Sequence, residues 1–204
     1  MLFDDTYKTI AENAEGIFRD KGSKFIAYAY PIRSEDEVKP ILQSLRTEHA
    51  KARHFCYAYR LSPDRTVFRI NDDGEPSGTA GRPILNCLLS EDITNVIVVV
   101  VRYFGGTLLG VPGLINAYKN ASIEAIKTAT IISKTVNDIY QIEFDYLQMN
   151  DVMRLVKEEN LMVLSQNFDI QCVLTFEVRK AQLNQVLAKF DKIEGLKHQY
   201  LHTI

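Results

Sequence analysis

The sequence has no paired cysteines, no long apolar run and no excess of positive charge, and each absence removes a class of protein. Its cysteines, Cys56, Cys87 and Cys172, are odd in number and far apart, with no C-x-x-C pair. This usage excludes a disulfide scaffold and a thiolate zinc site. It fits a reducing compartment, so a cytoplasmic location is expected, with each thiol serving as a small core residue. The longest purely aliphatic stretch, Val96–Val101, is far too short to span a bilayer. It reads as a buried strand, and no membrane role is expected. The start, MLFDDTYKTI, lacks a basic lead into an apolar run and so does not read as a secretory signal. The net charge is −2. Proteins that coat nucleic acid along their length are basic, so any nucleic-acid role must rest on a local patch. No H-E-x-x-H, G-x-S-x-G or metal-spaced Cys/His cluster occurs, and no cofactor or metal is expected.

What is present is ordinary globular composition, 46% hydrophobic and 25% charged over 204 residues. That length suits one large or two small domains with their own cores. From Tyr140 onward the pattern is regular. Tyr140, Ile142, Phe144 and Tyr146 alternate with polar residues as a half-buried strand. Met149, Val152, Met153 and Val156 follow at helical spacing. Leu161–Gln166 reads as a second strand, Asn167 and Asp169 as the flanks of a turn, and Ile170–Val178 as the returning strand of a hairpin. Leu183, Val186, Leu187 and Phe190 form another helical stripe. Gly195 ends that connection, and Leu196–His202 is a last strand. The order β-α-β-β-α-β is ferredoxin-like.

The first part is mixed. Ser23–Tyr30, Phe55–Tyr59, Val67–Ile70 and Val96–Val101 read as strands, the last covered on both faces. Ser34 and Glu37 form a capping box that opens a helix through Val38, Ile41, Leu42 and Leu45. Leu114, Ala117, Tyr118, Ala121 and Ala125 mark a long helix. The fold class is therefore α+β, with domains at 1–133 and 134–204 and a boundary near Ser133–Val136.

Two segments carry candidate chemistry. Asn71–Leu85, N-D-D-G-E-P-S-G-T-A-G-R-P-I-L, follows a strand and is rich in glycine, proline and acid. Glycines permit positive φ and prolines fix the path, so the loop is built to hold one shape. In one reading Asp72, Asp73 and Glu75 bind a cation or accept protons. In the other they cap turns and helix ends in a structural crossover. The second segment, Arg102–Tyr118, runs from the buried strand into the long helix as R-Y-F-G-G-T-L-L-G-V-P-G-L-I-N-A-Y. A glycine-rich strand-to-helix turn exposes amides suited to an anion, and the same glycines serve tight packing equally well. It matches neither a Walker A loop nor G-x-G-x-x-G.

Weaker candidates remain. His54 and Cys56 lie two apart on a strand, either as a nucleophile pair or as a core cysteine beside a satisfied histidine. His198 and His202 share a strand face about 13 Å apart, too far to ligate one metal alone. Tyr57, Tyr59, Tyr103, Phe104 and Tyr118 with Lys24, Arg53, Arg60 and Lys119 are the raw material of a stacking and phosphate surface, though most of these aromatics suit a core.

D-D-G-E-P-S-G-T-A-G-R-P-I-L and R-Y-F-G-G-x-x-L-G-x-x-G-L-x-x-A-Y resemble the paired signatures of the YigZ/Impact family. The lead-in K-G-S-K-F-I-A and H-F-C-Y-A-Y resemble it too, and with the ferredoxin-like C-terminal domain the likeness covers almost the whole chain. Pro112 stands where that family usually has glycine, and Asn116 where it often has arginine. The first removes an amide donor and the second a phosphate-binding charge. The resemblance implies a first domain like the second domain of small-subunit ribosomal protein five. It implies a second domain like the last domain of elongation factor G. Eukaryotic relatives resemble translational regulators that bind the activator of the amino-acid-starvation kinase. They do so with an extra domain that this chain lacks, so that partner does not carry over.

The expected function is a noncatalytic regulatory or binding protein linked to translation, contacting RNA, the ribosome or a translation factor. Arg102 is the expected charged contact. Gly105, Gly106, Gly110 and Gly113 would shape the turn, supported by Tyr103, Phe104 and Tyr118. Asp72, Asp73, Gly74 and Glu75 would form the opposing acidic loop. The alternative is a small-molecule hydrolase or metal-dependent enzyme, in which those acids hold a divalent ion and the Gly105–Gly106 turn holds an anionic ligand. A third reading makes both loops structural and puts the partner surface on the ferredoxin-like sheet.

Overall fold

The computed structural model describes residues 5–169 and 171–204. Ile170, assigned by alternation to a hairpin strand, lies outside the described residues. The chain divides into two compact units. The larger is Tyr7–Lys134, and the smaller is Thr135–Ile204 together with the stretch ending at Thr6.

The larger unit is built from β2 (Ala14–Asp20), β3 (Ser23–Pro31), α1 (Val38–Glu48), β4 (His54–Leu61), β5 (Val67–Asn71), α2 (Gly81–Ser90), β6 (Val96–Tyr103) and α3 (Gly110–Thr128). The strands form an antiparallel sheet in the order β2-β3-β6-β4-β5. A shorter two-stranded sheet pairs β1 (Thr6–Ile10) with β7 (Ile131–Thr135). The middle strand explains the aliphatic run. Val96, Val98 and Val100 pack with α2 and α3, whereas Ile97, Val99 and Val101 pack with α1 residues Val38 and Leu45. With both faces covered, alternation with polar residues would bury unpaired polar groups, so every position is apolar.

Its neighbours follow the same division by size. Ala27, Ala29 and Ala58 lie on the side of α2 and α3, and Tyr57 and Tyr59 on the side of α1. Small residues let α3 come close. At Gly16 in β2 a Cβ would stand 2.1 Å from the Ala125 nitrogen, so no other residue allows this contact. The capping box forms ahead of α1, with the Ser34 N–H donating to Glu37 Oε1 at 3.0 Å.

One expectation about the first part changes. The segment read as a loop to Leu85 ends at Ala80, because Gly81–Leu85 are the first turns of α2. Its buried Ile84, Leu85 and Leu88 have ordinary helical spacing. Its cap is not local: the amides of Gly81 and Ala80 donate to Asp72 Oδ1 at 2.8 and 3.0 Å. A reader scanning the adjacent residues for a cap finds none.

The smaller unit contains β8 (Asn137–Asp145), α4 (Met149–Glu158), β9 (Met162–Phe168), β10 (Gln171–Arg179), α5 (Leu183–Phe190) and β11 (Lys197–Thr203). Its antiparallel sheet runs β11-β8-β10-β9, so first and third strands lie at the centre, as a split βαβ requires. Ile142, Phe144, Leu174 and Phe176 meet Val152, Val156, Val186 and Phe190 in one core. Tyr146 leaves the expected strand and is exposed in the turn before α4. Leu155 takes the core place expected of Met153, which is 36% exposed. Strand β9 runs on past Gln166 through Asn167 to Phe168. A register shift between Tyr200 and His202 sets His198 opposite Ile142 and His202 opposite Ile139, so the two histidines do not share a face. Among the described residues no helix is long and apolar enough to cross a membrane.

The start of the chain also differs from the expected division. Asp5 is buried in the smaller unit, where Arg179 donates Nε and Nη2 to its two oxygens at 2.7 Å each and the Ala181 N–H adds a third bond. The Arg179 hydrogen bonds, with help from the amide and the charge, outweigh desolvation and hold the carboxyl below its ordinary 3.8. A depressed carboxyl stabilises the fold above its unfolded value, and that contribution disappears as pH falls through the lowered one. The parent protein should therefore be more urea-resistant than Asp5→Asn near neutrality, with the gap closing below pH 3.8. A gap that stays constant across that range would contradict the assignment.

Candidate functional site

Strand register sets one row of side chains at the end of the larger sheet. Arg102 in β6 stands opposite His54 in β4 on one side and Phe25 in β3 on the other. The row continues the α2–α3 side of the sheet, yet Arg102 is charged and its side chain is only 7% exposed. Burial on that scale demands a partner. Glu75 supplies it: Arg102 Nη1 donates to Glu75 Oε1 at 2.6 Å, and the Tyr118 hydroxyl of α3 donates to the same oxygen at 2.7 Å. The guanidinium also lies over two aromatic rings, 5.5 Å from that of Phe25 and 5.6 Å from that of Phe104, in cation–π contact with both. Its buried Nε has no hydrogen-bond partner, so faces and one edge hold the group.

Tyr118 is wholly buried, and desolvation with the Cys56 and Glu75 contacts pushes its hydroxyl far above the phenol range. It acts as a neutral donor. Cys56 Sγ lies 3.0 Å from the Asp72 carbonyl and 3.3 Å from the Tyr118 hydroxyl, and burial likewise raises its thiol. His54 is elsewhere engaged: its Nδ1 meets the Asp73 carbonyl at 2.9 Å. Cys56 and His54 therefore do not form a nucleophile pair.

The acids of the first loop are all committed to the protein itself. Asp72 accepts from Gly78, Ala80 and Gly81. Asp73 takes both its oxygens to Arg46 at 3.0 Å and accepts the Phe55 N–H at 2.7 Å. Gly74, between Asp73 and Glu75, is in the left-handed region, φ +86°, against the His54 ring. Among the described residues no three His, Cys, Asp or Glu side chains come together as metal ligands.

The glycines of the second segment divide by role. Gly105 lies against Gly22: a Cβ on Gly105 would fall 1.9 Å from the Gly22 carbonyl carbon. Its N–H donates to Ser23 Oγ at 3.1 Å. That contact explains Gly105 and the Gly22–Ser23 step of the lead-in as packing. Gly106 has open space around it, and Gly110 and Gly113 fall in the first turn of α3. Tyr103 bonds His49 Nδ1 through its hydroxyl at 2.8 Å, and Tyr28 bonds Nε2 of the same ring.

Beside this network lies a cavity of about 450 Å³ lined by Lys51, Arg53, His54, Arg102, Tyr103, Phe104 and Leu108. None of these residues is acidic. Sequence pattern singled out Arg53, Arg102, Tyr103 and Phe104 and missed Lys51 and Leu108. The visible signal was K-A-R-H, the basic cluster immediately ahead of β4. The rest of the expected stacking surface is scattered: Tyr57 and Tyr59 belong to the α1 core, Arg60 pairs with Asp92, and Lys119 lines a groove between α2 and α3.

Removing one partner of a buried ion pair strands the other. Glu75→Ala should cost about 3–5 kcal/mol of stability, read from the urea midpoint, and adding Arg102→Met should restore part of it. A loss well below about 1 kcal/mol would mean the pair does not hold the loop.

The likenesses to known proteins agree with the signatures. The Impact N-terminal domain family matches residues 21–126. An IMPACT family member from Haemophilus influenzae is 35% identical over 150 residues, covering 72% of this chain and 73% of that protein. The IMPACT family member YigZ from Escherichia coli is 31% identical over 171 residues, covering 83% and 84%. A crystal structure of a hypothetical protein is similar over 97% of this chain and 98% of the other, with TM-score 0.74 and 27% identity. With the two signature loops packed against each other through Glu75, Arg102 and Tyr118, and with these likenesses along most of its length, the chain belongs to the IMPACT family.

Proposed function

We propose that the protein is a noncatalytic binding protein linked to translation, and that it contacts RNA through the pocket beside Arg102. The observation that carries the reading is the lining itself: two exposed cations, Lys51 and Arg53, next to aromatic side chains and no acid. Neither cation is taken up in an ion pair among the described residues. A local patch of this kind is what an acidic chain needs to hold a polyanion. The translation setting rests on the family resemblance, and the choice of RNA rests on the pocket.

The phosphate contact moves from Arg102 to Lys51 and Arg53, because Arg102 is buried and neutralised by Glu75. Arg102 then positions the aromatic wall. The metal-dependent alternative has less support, since Asp72, Asp73 and Glu75 already accept bonds from amides, Arg46, Arg102 and Tyr118. So does the ferredoxin-like sheet as the contact surface. Its polar register row of Asn167, Val173, Glu143 and Lys197 pairs one cation with one acid, and the next row, Ser165, Thr175, Gln141 and Gln199, is uncharged.

The test is fluorescence anisotropy with labelled RNA between about 50 and 200 mM salt. Binding should weaken steeply with salt, and the Lys51→Ala/Arg53→Ala double variant should lower the log–log slope by about 1.4–1.8. If folded parent protein shows no salt-sensitive binding, the RNA contact is wrong, and a ribosomal or factor protein becomes the partner to seek.

A further inference from the structure

We propose that the pocket takes a single unpaired RNA base, stacked on the outer face of Phe104, with the flanking phosphates on Lys51 and Arg53. The assignment rests on the pocket being an RNA site and goes on to say which form of RNA fits it.

Three observations carry it. First, Phe104 is 56% exposed although it is a large apolar side chain, and Leu108 beside it is 83% exposed. A site for phosphates alone needs no apolar lips, whereas a base has an apolar face to cover. Second, Phe104 does not hang free. Its inner face lies 5.6 Å from the Arg102 guanidinium, which is itself backed by Phe25 at 5.5 Å and tied to Glu75 at 2.6 Å. The ring is therefore a shelf with a fixed support and one open side, which lowers the ordering cost of stacking on it. Third, the site is concave, about 450 Å³, with the cations lining the same space as the ring. In a duplex the bases are stacked inside and the deep groove is closed to side chains, so a concave aromatic shelf suits a strand whose bases are splayed out.

The experiment compares a fluorescein-labelled single strand of about ten nucleotides with a duplex of about 16 base pairs. The parent should bind the single strand more tightly. Phe104→Ala should weaken that binding by about fivefold or more, the loss of one base stack, and leave the salt slope unchanged. Phe104→Tyr should restore it, and Lys51→Ala should lower the slope by about 0.7. Because Phe104 is more than half exposed, its replacement leaves the core intact, which circular dichroism checks. Phe104→Ala binding like the parent while Lys51→Ala fails would leave a phosphate site without a base and overturn the inference. Equal affinity for the duplex would overturn it too. Parent protein that binds neither RNA would instead defeat the RNA reading on which it stands.

Discussion

One carboxylate oxygen, Glu75 Oε1, organises the candidate site. It accepts from Arg102 in the central strand and from Tyr118 in the long helix, while its own residue belongs to the loop after β5. Three separate stretches of chain thus meet at one buried charge. A charged arginine in the α2–α3 core is tolerable only with that partner. Once held, its plane supports Phe104, and Phe104 forms the wall of the basic cavity. The interior electrostatics and the exposed surface are therefore linked by a single side chain. Replacing the pair with apolar residues of similar shape need not unfold such a protein, but it would remove the backing of the ring.

The acidic, glycine-rich loop shows how strongly a segment can imitate a metal site while serving itself. Asp72 and Asp73 are neighbours in sequence but turn to different tasks, one capping a helix begun nine residues later, the other clamping Arg46 and a strand amide. The cap and the strand contact satisfy backbone amides that the helix start and strand end leave unpaired, while the half-exposed Arg46 ties the loop to α1. The loop is rigid because its acids are spent, and that rigidity sets Glu75 in place.

Legibility in the sequence followed locality. The smaller unit could be read from period-two and helical spacing because its strands alternate cleanly and its helices have one apolar face. Val96–Val101 was legible as a doubly covered strand because no polar residue interrupts it. What escaped were features set by distant partners. The helix at Gly81 was missed because its cap is Asp72, well outside the window of an N-cap. Arg102 looked like an exposed contact because nothing near it in sequence announces Glu75. Lys51 was passed over because its meaning depends on the fold bringing it beside Phe104. His202 was misplaced by a single-residue bulge that no alternation pattern marks. The family likeness drew attention to both loops, but the division of labour within them depends on contacts between residues far apart in the chain.

Asp5 and Arg179, 174 residues apart in the chain, bind each other within the smaller unit. The whole larger unit is therefore spliced into the smaller one as an insertion. During synthesis the larger unit can assemble as soon as Lys134 is made, since its strands and helices are all in hand. The smaller unit needs β11 as well, which is the last strand of the chain to be made. Its completion closes a loop that spans the whole larger unit, and because the entropic cost of closure grows only slowly with loop length, so long an insertion is tolerated. The connectivity therefore makes the smaller unit depend on both of its chain segments, with the whole larger unit lying between them in sequence.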